Sequence, residues 1–596
     1  MKKSILSLSA AVALGGLGLV NSANAIIVYD NAGTDTTGLQ HATDPSTGVA
    51  YTALATKMYQ HPAGTGHILL VPYFSAQGNN ATLINIVNTD TTNGKAVKVR
   101  FRGATNSDDV LDFTLLLSPG DVWSGSVQQG TDGIATIIHG SDETTCTLPA
   151  ADSGDWTTIA GGALQKPFVT SRLPQYLTTA QQAALTREGY VEILNMADII
   201  PDDADNSVFQ NVLHNKGVAA CGGKVSALLN TTLYNATDAR TSYDLTYPSG
   251  GLMGSWAIMN QAQQGIFTGT QTAMVATSDT KAMGQNGTAA TGLGALAFFA
   301  QSQTFFAPPV NIGSAGAVKP LLTAVTADPL LVGGVGSVSY VSPVLTGGTA
   351  FPDARKVAAQ WYDLPDLSTP YIPTMTNPQA QSDLLTATLL KTNVVNEWIA
   401  TASTGVPFDT DWVVSQPSRR YHVAVNYGTA SGQSLPVWSD PVAHTLPFKG
   451  PTTGAASITG GYPGYADVQM NTGAYGPVAC LQFSLGAINR EEGGLNGGGF
   501  SPGVPAPTCG EVITLQFADT SPLAAALTTS SVAPAVAKVS AGAGWAQLNL
   551  TTTAAIDAGG VPMLGFAATQ FSNTVTGAIY NETFTHRWNG VANVYP

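Results

Sequence analysis

Ala81-Thr-Leu-Ile-Asn-Ile-Val-Asn88, Thr91-Thr92-Asn93-Gly94 and Lys95-Ala-Val-Lys-Val-Arg-Phe-Arg102 form the stretch on which the reading of the fold turns. Asn-Gly between two β-rich runs is a strong short-range hairpin signal, so the runs are expected to pair across that turn. The second run alternates cleanly. Val97, Val99 and Phe101 fall on one face and Lys98, Arg100 and Arg102 on the other, because side chains in a strand switch sides at every residue. Asp112 to Leu117 is a further strand that stops at Ser118-Pro119-Gly120-Asp121, where Pro and Gly suit a tight turn, and Ile134 to His139 adds another. Short strands separated by turn residues describe an antiparallel sandwich with one face of each sheet in the core.

The same texture continues along the chain. Tyr190 to Met196, Leu252 to Phe267, Asp411 to Val425, Glu511 to Phe517 and Met563 to Phe571 read as β segments, and Thr179 to Glu188 as a short helix. The longest expected helix runs from Pro378 to about Ala400, capped by Asn377, with Leu385, Leu389, Trp398 and Ile399 at helical spacing. Gly333 to Ser339 and Gly450 to Gly464 read as loops. The expected fold class is mainly β, built from several antiparallel, Ig-like β-sandwich domains with a few helices. The expected divisions are a signal peptide at 1–25, an N-terminal sandwich at 26–160, a second β-rich domain at 161–310 and a C-terminal β-rich region at 311–596.

Composition narrows the class further. Only 10% of the 596 residues are charged against 44% hydrophobic, which excludes a disordered tail, and 4 Cys exclude a disulfide scaffold. With 24 Lys and Arg against 38 Asp and Glu, the net charge of −14 favours no nucleic-acid partner. Met1-Lys2-Lys3, the apolar run Ile5 to Val20 and Ala23-Asn24-Ala25 are the three parts of a secretory signal peptide, so the mature chain is expected to begin at Ile26, outside the cytoplasm. No later segment reaches the roughly 20 apolar residues of a membrane-spanning helix, and an outer-membrane barrel is the lesser alternative.

Cys146, Cys221, Cys480 and Cys509 lie too far apart for a CxxC site, and in an exported chain they read as disulfides. Three pairings are open. Sequential pairing, Cys146 with Cys221 and Cys480 with Cys509, is preferred because it keeps each loop within one region. Motifs for chemistry are mostly absent: no HExxH, no phosphate-binding loop and no GxSxG elbow occurs. Gly292-Leu-Gly-Ala-Leu-Ala297 matches GxGxxA but lacks the preceding strand and the acidic residue of a dinucleotide site, and reads as an apolar turn. His61 and His67 are the only neighbouring histidines and read as loop residues.

Two charged clusters stand out. Asp198-Ile-Ile-Pro-Asp202-Asp203-Ala-Asp205-Asn206 is the clearest candidate for Ca²⁺, which takes six to eight oxygen ligands, although Asp and Asn also simply make turns. Asn106-Ser-Asp108-Asp109, with Asp112 close behind, is the second. Lys95, Lys98, Arg100 and Arg102 concentrate four cations in eight residues. They form either a patch for an anionic partner such as lipopolysaccharide or a neighbouring subunit, or a solvated face balanced by Asp108, Asp109 and Asp112.

A resemblance follows from longer stretches. Ile68-Leu-Leu-Val-Pro-Tyr-Phe-Ser-Ala-Gln77 and ATLINIVNTDTTNGKAVKVRFRGATNSDDVLDFTLLLSPGDVW, ending at Trp123, resemble the N-terminal region of exported cell-surface proteins of Gram-negative bacteria, some of them surface-layer proteins. REGYVEILNMADI (Arg187 to Ile199) and GFAATQF (Gly565 to Phe571) resemble later parts of the same group. The resemblance covers about a third of the chain, carries no catalytic residue and implies an address on the outer face of the outer membrane and a structural role. It leads to a self-assembling surface-layer subunit, with calcium at lattice contacts and no enzymatic activity. A secreted adhesin or carbohydrate-binding protein is the alternative, in which Trp123, Trp256, Trp412 and Trp588 stack on sugars; a secreted hydrolase is a further one.

Overall fold

The computed structural model describes, apart from short gaps, residues 57–148, 156–277, 388–417, 469–490, 504–526, 542–550 and 561–589, with isolated strand segments at 27–28, 362–363, 425–426 and 529–531. The signal segment 1–25, Gly292 to Ala297, the loops at 333–339 and 450–464 and the first part of the expected helix, 378–387, lie outside the described residues.

The chain is mainly β. Fourteen principal strands build the first sandwich: β1 (Lys57–Gln60), β2 (Ile68–Ser75), β3 (Asn80–Asn88), β4 (Gly94–Gly103), β5 (Asp109–Leu117), β6 (Val122–Gln129), β7 (Ala135–His139), β8 (Cys146–Leu148), β9 (Thr157–Thr158), β10 (Leu164–Pro167), β11 (Glu188–Ile199), β12 (Leu252–Asn260), β13 (Gly265–Thr270) and β14 (Thr272–Thr277). One sheet runs β9-β10-β7-β6-β3-β12-β13 and the other β1-β14-β2-β11-β4-β5-β8, with Leu245–Thr246 added beside β11. Ile84, Ile86, Trp123 and Trp256 from the first face Val97, Val99, Phe101 and Phe113 from the second in one core, where Phe113 and Trp123 approach to 5.7 Å between ring centres. This architecture corrects the boundary expected at residue 160. Strands β11 to β14, all beyond it, are interleaved with earlier strands in both sheets.

The Asn-Gly hairpin is also corrected. β3 pairs with β6 and β12, whereas β4 pairs with β5 and β11, so the connection 89–93 crosses from one sheet to the other. Neither Asn93 nor Gly94 has the positive φ that a two-residue hairpin turn requires. The arch is held instead by side chains. The Asp90 carboxylate accepts the N–H groups of Thr92 and Asn93 at 2.8 and 3.0 Å, and the Asn88 amide donates to the carbonyls of Asn93 and Ser118, both at 2.9 Å. Gly94 is needed for close approach, since a Cβ there would lie 2.7 Å from the Leu117 carbonyl oxygen.

The second assembly comprises β15 (Leu390–Lys391), β16 (Asn393–Ile399), β17 (Phe408–Ser415), β18 (Gln469–Gly473), β19 (Gly476–Asn489), β20 (Val504–Cys509), β21 (Val512–Gln516), β22 (Thr529–Ser531), β23 (Ala543–Asn549), β24 (Val561–Pro562), β25 (Leu564–Ser572), β26 (Ile579–Thr585) and β27 (Arg587–Asn589). One sheet runs β18-β19-β23-β16-β27, with β20 beside β19; another runs β22-β21-β17-β25-β26; β15 pairs with β24. Here the helix expected up to Ala400 gives way to strand β16. Val394, Asn396 and Trp398 are its buried positions, a period of two, and β-branched Val394 and Val395 favour the pleat between β23 and β27. The two assemblies share a core. Val413, Val512, Leu523, Phe566 and Ala568 belong to the same buried cluster as the first sandwich.

The short helix Thr179–Leu185 falls within the expected span and carries a capping box between Thr178 and Gln181. Cys146 is bonded to Cys221. Cys509 is disulfide-bonded as well, and its register partner across β19–β20 is Cys480, in keeping with sequential pairing. Among the described residues no helix is long and apolar enough to cross a membrane.

Candidate functional site

The cationic face does not meet solvent. Every residue of β4 is buried, and Lys95, Lys98, Arg100 and Arg102 are each 0% exposed, which corrects both the anionic-partner patch and the solvated face. Alternation correctly separated apolar from charged positions, but strand β11 supplies acids against the second face. Glu192 sits opposite Arg100 in register and its carboxylate lies 3.3 Å from Arg102 Nε and 3.8 Å from Arg100 Nη1. Lys95 donates to Asp198 at 2.7 Å and to the Ser249 hydroxyl at 2.8 Å.

The same contacts divide the expected calcium cluster. Asp198, next to last in β11, is fully buried, holding Lys95, the Ser249 hydroxyl and N–H, and the Asn195 amide, while burial pushes its carboxyl up against the pull of Lys95. Asp202, Asp203 and Asp205 lie beyond it on a solvent-facing loop. The Ala204 N–H donates to Asp202 and holds its carboxyl below the usual range. Among the described residues no three His, Cys, Asp or Glu side chains converge in a way that could hold a metal ion. In the second acidic run Asn106 and Asp108 are buried, and Asp109 and Asp112 occupy register positions opposite Arg102 and Arg100. His67 is buried, its pKa well lowered by desolvation and then by Lys95.

The four tryptophans separate into two roles. Trp123 and Trp412 are core residues, both 0% exposed, and the Trp412 indole donates to the Glu397 carbonyl at 2.9 Å. Half-buried Trp588 lines a cleft of about 430 Å³ where the two assemblies meet, with Trp256, itself a core residue 3% exposed, in its wall. It opens where the chain passes from β13, the edge of one sheet, into β14 of the other, and strands β25 to β27 close it from the second assembly. Trp256 and Phe566 approach to 4.7 Å across this seam. Opposite Trp256 in register stands Gly269, where a Cβ would run into the indole.

Lys391 enters the cleft from β15, pinned in place by neighbouring backbone. The Gln60 amide donates to the Thr388 carbonyl at 2.8 Å and the Met563 N–H to that of Leu389 at 3.0 Å. Pairing of β16 with β27 sets Trp588 opposite Val394, and the Lys391 ammonium lies 4.3 Å from the Trp588 ring centre. Lys391 is 4% exposed, and burial lowers its pKa to about 7. His586 stands at the same wall. Its Nε2 donates to the Val413 carbonyl at 2.9 Å and its Nδ1 accepts from Asn396 at 3.0 Å, which fixes the neutral tautomer; burial lowers its pKa to about 4. Gly565 allows this packing, since a Cβ at its φ of +152° would meet the Val413 carbonyl and the His586 ring.

Three buried polar atoms on residues lining this cleft lack a hydrogen-bond partner: Lys391 Nζ, Thr583 Oγ1 and Gln271 Oε1. Among the described residues the lining contains no Asp and no Glu, and besides Lys391 its titratable groups are His61 and His586. Two possible donors and one acceptor are therefore unmet beside aromatic surface, an arrangement suited to a small polar ligand. Of the lining residues the sequence points to Trp256 and Trp588 as sugar-stacking candidates and reads His61 as a loop residue, whereas Lys391 falls inside the expected helix. Comparison with family models, with curated proteins and with solved structures finds no match to this chain.

Proposed function

We propose that the chain is a structural subunit of a bacterial surface layer, exported and self-assembling on the outer face of the outer membrane. The observation that supports this reading best is the outward face of β3, β6, β12 and β13. Its outward positions carry no charged side chain, and Leu83, Val122, Met253 and Ile266 on it are 36%, 52%, 42% and 47% exposed. Val122, Val87 and Met253 stand side by side across three strands, and Met259 stands beside Ile266. An exposed apolar face without charge is suited to meeting another protein surface, and a second copy brings no like charge to oppose it. Burial of Lys95, Lys98, Arg100 and Arg102 makes the outside still poorer in cations. Calcium would assist through exposed carboxylates such as Asp203 and Asp205 at contacts between copies.

The test is negative-stain imaging of isolated envelopes before and after chelator, repeated with Met253→Glu/Ile266→Glu. A lattice that the double variant abolishes supports the reading. A monodisperse monomer in calcium-containing buffer together with lattice-free envelopes rejects it.

The cleft favours a second reading, a secreted carbohydrate-binding protein or adhesin. Indole faces stack on the C–H faces of sugars while hydroxyl and amide groups exchange hydrogen bonds with sugar hydroxyls, and Trp588, Thr583 and Gln271 are of those types. A glycan array without a hit would remove it.

A further inference from the structure

We propose that the cleft is a subsite for an acidic saccharide, a sugar whose carboxylate pairs with Lys391 while its ring lies against Trp588. The inference deepens the carbohydrate-binding reading and rests on it. An ammonium group carries three donors, and the one on Lys391 is buried with none of them used. Buried cations in folded proteins are ordinarily paired, and Lys95 and Arg102 of this same chain follow that rule. Around Lys391 the described lining offers the Trp588 face and the histidines His61 and His586, of which His586 is held neutral by burial. With no carboxylate in the wall among the described residues, a ligand is the natural source of the countercharge.

The other two unpartnered atoms narrow the ligand class. Thr583 Oγ1 can donate to an anion or accept from a hydroxyl, whereas Gln271 Oε1 can only accept and so requires a donor. A ligand carrying both a carboxylate and hydroxyl groups matches all three, and the indole of Trp588 supplies flat apolar contact for a sugar ring. The volume, about 430 Å³, lies within the range of small-molecule sites. Binding of the anion also returns the proton that burial removes from Lys391.

The experiment is isothermal calorimetry of the full chain with D-galacturonate and D-glucuronate, against their methyl esters and neutral methyl glycosides. The acids should bind at least about tenfold more tightly than the esters, the difference expected of a charge-assisted pair. At pH 8, titrations in two buffers of different ionisation enthalpy should report uptake of close to one proton per acid bound and none for the esters. Lys391→Met should erase the preference without weakening the esters. Equal affinities for acid and ester, or binding of the acid without proton uptake, would overturn the Lys391 assignment while leaving the carbohydrate reading in place. If neither acids nor neutral sugars bind, both fail together. The acid–ester comparison needs only the unmutated chain, so misfolding of the variant would not spoil the test.

Discussion

Replacing Lys391 by Met should make the protein more stable at neutral pH, and the gain should fade as pH rises. In the fold the amine's pKa lies at about 7, whereas in the unfolded chain it is about 10.4. Between those values the unfolded chain holds the proton and the folded chain gives it up, so the lysine's contribution to stability rises with pH across the window. Integrated from pH 7 to pH 9.5, the difference in bound protons amounts to about 3 kcal/mol, less ~1 kcal/mol if the Trp588 face restores part of the cost of the buried charge. Urea unfolding followed by tryptophan fluorescence at both pH values measures it. The wild type should gain about 2 to 3 kcal/mol relative to Lys391→Met between pH 7 and pH 9.5. Tyr73 and Tyr190, both raised above the usual phenol range by burial, oppose the trend only near pH 10 and are common to both proteins. Parallel behaviour of wild type and variant across the window would refute the claim that Lys391 is buried without a counter-ion.

Three other perturbations test the fold around the site. Glu192→Gln removes a carboxylate 3.8 Å from Arg100 and 3.3 Å from Arg102 and should lower stability by about 3 kcal/mol, visible as an earlier urea midpoint that added salt does not restore. Asp411 is held up at about 7 by burial, so the folded chain keeps its proton longer than the unfolded chain and stability falls as pH rises from about 4 to 7. Asp411→Asn should therefore gain about 3 kcal/mol on the wild type over that interval; an unchanged difference in midpoints would place the carboxyl in solvent. Removing Cys146 and Cys221 together opens a link spanning 75 residues and should cost about 4 kcal/mol, measured by comparing the Cys146→Ser/Cys221→Ser protein with the oxidised wild type.

What could be read from the sequence was local. The period of two in Lys95 to Arg102 located a strand and separated its faces correctly, because alternation depends only on neighbouring residues. Whether the charged face is wet depends on Glu192 and Asp198, about a hundred residues away, and nothing in the run itself reports them. Asn93-Gly94 likewise carries the composition of a hairpin turn, yet the buried Asn88 and Asp90 side chains give the backbone another way to satisfy itself. At Leu389 to Ile399 the apolar spacing fits a helix and a strand alike, and β-branched Val394 and Val395 with partners on both sides decide for the strand. The cleft was the least legible feature. Its walls run from Gln60 to Trp588, and no short motif links an amine on one strand to indoles on two others.

The interleaving of early and late strands has a consequence for how the chain acquires its structure. β3 pairs with β12 at a separation of about 170 residues, and β2 and β4 are both held by β11. Pairings so distant must close long loops before they are rewarded, which makes folding slow. If the chain is delivered from its N-terminus, Ile84 and Ile86 lack the neighbour that covers their strand until residues near 260 emerge, and the common core that reaches Phe566 is incomplete until almost the whole chain has arrived. Over that interval apolar strands stand unpaired, so delivery of this chain demands either rapid completion or a holding partner that shields them.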